Sequence, residues 1–224
     1  MSEAAYTTQR SDGFEMVPAM VMVILDVGCS NGALAGGRRL VLADRQLVGI
    51  ERYAGFVAQA ASQLDRVIQA VLDTVEWRRE FPDAMFDCVI FGDVLEHLLD
   101  PWLHLAEARR CLRPGGTVVI GLPKIRLVSS LYGIFIYGTF PRRDRGIFDR
   151  THLHWFTPHD ARKLVVESGL KVEATSYNLR IGDKRGGLLN RIAGRLFDPI
   201  SGFASIREFF AYQVCLRASA GQLP

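Results

Sequence analysis

Apolar runs alternate with helical spacing through the first half of the chain, and the rhythm breaks after Pro123. Val21-Met-Val-Ile-Leu-Asp26 is a short continuous apolar run ending at a glycine-rich turn, as in a strand buried on both faces. Ala33–Leu42 reads as a helix. Leu47-Val-Gly-Ile-Glu51 reads as a second strand, Tyr53–Leu64 as a second helix and Val67–Val71 as a short third strand. Phe86-Asp-Cys-Val-Ile-Phe91 is a fourth strand. Asp100 followed by Pro101 marks a helix start, an N-cap with proline at the first helical position. That helix runs to about Leu112 and stops at Arg113-Pro-Gly-Gly116, with Thr117–Leu122 as a fifth strand. This βαβα rhythm predicts a parallel, doubly wound α/β sheet.

Beyond Pro123 the pattern is looser. Lys124–Arg150 has no clear period and is rich in Gly, Pro and Arg. Thr157-Pro158-His159-Asp160 opens a helix through Ser168, stopped by Gly169. Lys171–Asn178 alternates like a strand, Arg180–Arg207 is basic with an amphipathic stretch Leu188–Phe197, and Phe209–Leu216 reads as a final strand.

Composition narrows the class. The 224 residues are 49% hydrophobic, enough for a sizeable core, which excludes disorder as the main state. The length suits one domain, alone or with a small appendage. MSEAAYTTQR lacks the basic-then-apolar layout of a secretory signal, and no stretch approaches the ~18 uninterrupted apolar residues of a spanning helix. Cys29, Cys88, Cys111 and Cys215 are scattered without a CxxC pair, which fits reduced thiols in a cytoplasmic protein and neither a disulfide framework nor a zinc site. The net charge of +3 hides an asymmetry. Residues 1–123 carry 11 basic and 16 acidic side chains, residues 124–224 carry 16 and 8.

The strongest local feature is Asp26-Val-Gly28-Cys-Ser30-Asn-Gly32, directly after a strand and before a helix. Small residues there let the backbone approach a ligand and turn sharply. The dinucleotide fingerprint wants GxGxxG; here the pattern is Asp-x-Gly-x-x-x-Gly. An Asp before the loop suits a ligand bearing a cationic amine and repels a pyrophosphate. Glu51 ends the second strand, where an acid is placed to accept both hydroxyls of a ribose.

Ile24–Gly32, Val48–Glu51, Phe86–His97 and Leu112–Gly116 together resemble, in order, the successive motifs of class I S-adenosylmethionine-dependent methyltransferases. Gly146-Ile-Phe-Asp-Arg-Thr-His-Leu-His-Trp-Phe-Thr157 is similar to a bacterial subgroup found beside glycosyltransferases in surface-glycan pathways. The resemblance implies a Rossmann-like seven-stranded sheet, mostly parallel with the last strand antiparallel, in a single domain over 1–224. Residues 1–20 would be an N-terminal segment and 21–123 the cofactor-binding core. Segments 124–160 and 180–208 would form an inserted cap that meets substrate, and 171–178 and 209–217 the last strands. It further implies S-adenosylmethionine as cofactor. Asp26, Gly28, Ser30, Asn31 and Gly32 would surround the methionine end, Glu51 the ribose, Arg52, Val71 and Leu72 the adenine, and Gly92 and Asp93 would line the cofactor and face substrate.

Two departures stand out. Ser30 replaces the family's middle glycine. Ala70 and Val71 stand where the family has Gly-Asp, so the adenine amino group loses a side-chain acceptor, with Asp73 a candidate substitute two residues on. Losing such a bond costs about 1–3 kcal/mol.

Methyl transfer from a sulfonium needs a nucleophile held in line, close and desolvated. A hydroxyl nucleophile also benefits from a base, and histidine suits neutral pH. His97 and His152 are the catalytic candidates. The subgroup's Arg-Thr-His-Leu motif favours His152 as the substrate-facing one, while His97 reads equally as a base or as a structural histidine bonding loop backbone. His152 and His154 share a face in an extended segment but lack an evident third ligand, so no metal is expected. Arg143, Arg150 and His154 are candidate substrate contacts, since Arg pairs with phosphate or carboxylate. The expected function is O-methylation of a hydroxyl on a sugar or small polar metabolite, neutral or anionic. N- or C-methylation, or a non-catalytic member of the fold, stands as the alternative. No nucleic-acid partner is expected. The basic stretch around Leu188–Phe197 leaves peripheral membrane contact open, and the assembly is expected to be a monomer or homodimer.

Overall fold

The computed structural model describes residues 15–33, 45–179, 209 and 211–221. At its centre Val23–Val27 (β1) pairs in parallel with Gln46–Glu51 (β2) on one side and Phe86–Gly92 (β4) on the other. Arg66–Gln69 (β3) lies outside β2, and Leu112–Pro123 (β5) outside β4. Ala211–Ala220 (β7) inserts antiparallel between β5 and Leu170–Leu179 (β6). The order is β3-β2-β1-β4-β5-β7-β6. The sheet is therefore the expected seven-stranded one, with its last strand antiparallel. Strand order reverses between β1 and β4, the point where an open α/β sheet leaves a crevice at its carboxyl end.

Continuous apolar runs form the inner strands because both faces are covered. Leu25, Val27, Val89, Phe91, Val118 and Ile120 pack into one layer, and their neighbours Ile24, Cys88, Ile90 and Val119 into the other. This is the two-residue alternation of a strand. The helices cap as their sequences direct. In Pro101–Cys111 the Asp100 side chain accepts from the Leu103 amide. In Pro158–Glu167 Thr157 and Asp160 form a reciprocal capping box.

Several elements differ from their sequence expectation. The second helix is shorter, Ala54–Ala60 (α1). A short helix, Trp77–Glu80 (α2), precedes β4, and Pro101–Cys111 becomes α3. β5 begins at Leu112, ahead of Thr117, because Arg113-Pro-Gly-Gly is taken up as a register shift against β4, with Gly115 at φ +79°. Val128–Tyr137 (α4) lies inside the segment that showed no period. Its apolar residues occupy all sides, so no stripe marks it, and Tyr132, Phe135, Ile136 and Tyr137 are exposed. Pro158–Glu167 is α5. The expected helices at 33–42 and 188–197 fall largely or wholly outside the described residues, as do residues 1–14. All four cysteines are free and buried. Among the described residues no helix is long and apolar enough to cross a membrane.

Candidate active site

At the carboxyl end of β1 the chain turns over the end of β2. The Gly28 and Cys29 amides both donate to the Ile50 carbonyl, at 2.9 and 3.0 Å. This turn requires left-handed backbone at Gly28 (φ +71°), Ser30 (+50°) and Gly32 (+80°). A Cβ on Gly28 would lie 2.5 Å from Val94 Cγ2, so glycine is required there by contact as well as by conformation. Ser30 bears a side chain in the same region, which costs roughly 1–2 kcal/mol; strain of this kind concentrates at ligand sites.

The loop's amides meet Glu51. Its Oε2 accepts from Ser30 N at 3.0 Å and its Oε1 from Tyr53 N at 2.8 Å. Asp26 is buried below the loop at 2% exposure. Burial and these two carboxylates push the Cys29 thiol far above its ordinary range, so it is no nucleophile. Asp93 follows β4 at φ +51°; its amide donates to the Gly121 carbonyl at 3.0 Å, and Gln213 on β7 donates to its carboxylate.

These elements wall a cleft that is open to solvent. Of the residues expected to hold a cofactor, Gly28, Ser30, Glu51, Arg52, Val71, Leu72 and Asp93 line it. Asp26, Asn31, Gly32 and Gly92 sit behind the lining. Asn31 fastens the loop, its carbonyl accepting from Gln63 Nε2 at 2.9 Å, and Gly32 lies against Ala60 of α1. Tyr53, Val94, Leu98 and Thr151 also line the cleft and were not among the sequence candidates; Asp73, the candidate substitute acceptor, lines it too. Thr151 had a signal, since it adjoins His152 in the quoted motif. Tyr53 had none beyond following Arg52, whose guanidinium stacks over its ring at 4.3 Å.

Of the two catalytic candidates, His97 lines the cleft; His152 is 5% exposed and packs edge-on behind it, ring centroids 4.6 Å apart. His97 Nδ1 lies 3.2 Å from the Thr151 carbonyl and 3.0 Å from Thr151 Oγ1. A carbonyl only accepts, so Nδ1 carries the hydrogen and Nε2 keeps its lone pair. The Thr151 hydroxyl donates in turn to Asp149 Oδ1 at 2.7 Å. Burial lowers the His97 pKa below its ordinary value, with His152 adding to the effect. The ring is therefore neutral at pH 7 and able to accept a proton.

His152 Nδ1 donates to the Ile147 carbonyl at 3.0 Å, and burial lowers its pKa too. The Nε2 atoms of His97 and His152 face Glu96 Oε1 at 4.0 and 3.9 Å. One ligand atom from each of these three residues falls within 4.8 Å of the others, a grouping that could hold a cation. The third ligand the sequence did not show is thus Glu96, from another loop, and His154 has no part in it. His154 Nε2 donates to the Leu98 carbonyl at 3.0 Å. Arg143 and Arg150 lie outside the cleft wall and are exposed, Arg150 alongside Asp144 at 3.4 Å.

The loop, the ribose-type acid and the residues after β4 coincide with a match to known proteins. Residues 25–120 fit the family model described as a methyltransferase domain. The cleft that those residues help to wall presents the carboxylates of Glu51 and Asp93, with Asp26 buried behind them, an arrangement that suits a cationic ligand. Among curated relatives, 27-O-demethylrifamycin SV methyltransferase of Amycolatopsis mediterranei is 36% identical over 104 residues, 44% of this chain and 37% of that protein. The ubiquinone biosynthesis O-methyltransferase of Azorhizobium caulinodans is 26% identical over 195 residues, 85% of this chain and 68% of that one. The chain spans 29–37% of the length of three of the curated relatives it matches, the rifamycin enzyme among them. The S-adenosylmethionine-dependent methyltransferase of Mesorhizobium loti has a similar fold, with a TM-score of 0.60, 15% identity, and 93% and 95% of the two chains covered. That of Archaeoglobus fulgidus gives 0.58, 16%, 89% and 86%.

Proposed function

We propose that the chain is an S-adenosylmethionine-dependent O-methyltransferase acting in the cytoplasm on a hydroxyl of a sugar or other small polar metabolite. The observation that carries this reading is His97, a neutral imidazole of fixed tautomer on the wall of the cofactor cleft. Bound in that cleft, S-adenosylmethionine supplies a methyl group on a positively charged sulfur. The residues of the chain do the rest. Gly28 and Ser30 bring backbone against the ligand, Glu51 orients the ribose and Asp26 and Asp93 stabilise positive charge. His97 Nε2 takes the proton of the acceptor hydroxyl as oxygen attacks carbon. Thr151, tied to Asp149, holds the Nδ1 hydrogen and so aims Nε2.

Placed behind His97, His152 supports the ring and shields it from water. The O-methyltransferases among the relatives support oxygen as the methylated atom. The exposed arginines Arg142, Arg143 and Arg150, in the segment that leads into Thr151, support an acceptor that carries negative charge. His154 orders the Leu98 wall against which that acceptor would lie. The glycan-pathway reading rests on the motif around Thr151 and His152.

The test is calorimetric titration with S-adenosylmethionine, followed by methyl transfer to a panel of neutral and anionic sugars. Binding in the micromolar range and release of S-adenosylhomocysteine with a hydroxyl acceptor are expected. No binding at millimolar cofactor leaves the non-catalytic alternative standing.

A further inference from the structure

Val71, at the position where the resemblance implies an acidic side chain against the adenine amino group, offers an apolar surface and is 52% exposed. Two residues on, Asp73 sits in the short 3-10 turn Leu72–Thr74 and also lines the cleft. It is held there from beneath. Its Oδ1 accepts from the Leu99 amide at 3.0 Å. On the same oxygen, at 3.6 Å, points Nε2 of His104, a residue of α3 that is 3% exposed.

The protonation of His104 follows from its other side. The Trp77 indole N–H donates to His104 Nδ1 at 3.1 Å. Nδ1 is thus the acceptor, and the hydrogen is on Nε2, facing Asp73. Trp77 is itself buried and packs at 5.9 Å between ring centroids on His104. A buried pair on two helices therefore orients one carboxylate at the cleft. Both contacts engage Oδ1, and Oδ2 is the oxygen left for a ligand. Val71, Leu72 and Leu98 give apolar surfaces around it. Flat apolar walls with one anionic acceptor suit a planar base bearing an exocyclic amine.

We propose that Asp73 is the residue that reads the adenine amino group, with His104 as its positioning residue. This rests on the cleft being the S-adenosylmethionine site. The selectivity follows from chemistry: a carboxylate accepts from an amino group and repels the carbonyl oxygen that hypoxanthine carries at the same position.

The experiment compares binding of S-adenosylhomocysteine and S-inosylhomocysteine to the full chain by calorimetry. The wild type should favour the adenosyl ligand about 10- to 100-fold, the range of a charge-assisted hydrogen bond. Asp73→Asn, which can donate to the carbonyl, should bring that ratio to near one or below. His104→Gln should lower the ratio, whereas a purely structural role would weaken both ligands equally. A wild type that binds both ligands alike overturns the proposal without recourse to any variant, as does an Asp73→Asn protein that binds but keeps the wild-type ratio. If the wild type binds neither ligand, the cofactor reading of the cleft has failed instead.

Discussion

His97 and Thr151 come from opposite halves of the chain, one acidic and one basic, and meet with Nδ1 3.0 Å from Oγ1. In the proposed mechanism the first half supplies the base, and the second supplies the group that aims it. Thr151→Val keeps the volume and removes the acceptor. Its turnover is expected to fall about tenfold, equivalent to ~1.4 kcal/mol, with S-adenosylmethionine affinity within twofold of wild type. Single-turnover kinetics beside calorimetry would measure both; an unchanged rate removes Thr151 from the mechanism.

The base must be unprotonated to act. Burial lowers the His97 pKa below the ordinary histidine value of 6.5, so the reactive form persists below that pH. The acid limb of kcat/KM is expected below pH 6.5, with a plateau above it. His97→Gln should lose about 10²- to 10⁴-fold in turnover and that limb with it. A limb unmoved in His97→Gln would assign the titration to another group.

Glu51 accepts two backbone amides and still faces the cleft. Glu51→Gln has one oxygen where the carboxylate has two, and it is neutral. Loss of charge-assisted bonds should weaken S-adenosylmethionine by roughly 10- to 100-fold while the circular dichroism spectrum is retained. Affinity equal to wild type would end the ribose assignment.

Gly28→Ala introduces two separable faults. Its φ of +71° costs ~1–2 kcal/mol for an L side chain, and the new methyl meets Val94 Cγ2 at 2.5 Å. Thermal unfolding should shift down and cofactor affinity fall. Adding Val94→Ala should restore part of the affinity by relieving the contact. A double variant no better than the single one would show that conformation alone is responsible.

Base chemistry at His97 needs no metal. Dialysis against EDTA is expected to leave turnover unchanged. A collapse that added Mg²⁺ or Zn²⁺ reverses would instead make Glu96, His97 and His152 a cation site.

The parallel core was legible because each inner strand is a short apolar run followed by a turn of small or acidic residues. Asp26, Gly28 and Glu51 could be picked out from spacing alone, since glycine and carboxylate at strand ends answer to few other needs. Asp73 was legible only as a candidate substitute acceptor, and Leu98 and Thr151 were not legible as cleft walls. They reach it through a 3-10 turn and loops whose course depends on contacts between distant segments, such as Leu99 with Asp73. α4 was hidden for a different reason: apolar residues on every side give no helical stripe. Which histidine faces the cleft depended on the Thr151 and Ile147 carbonyls, and backbone acceptors leave no mark on a sequence.

Gln213 reaches Asp93 from a strand 120 positions later, and β7 fits between β5 and β6 as it does so. During synthesis every recognisable cofactor motif has left the ribosome well before the residue that steadies Asp93. A product cut short ahead of β7 would retain the whole family signature and lack a finished site. A gene fragment judged by those motifs alone would be credited with a site in which Asp93 has lost its Gln213 donor.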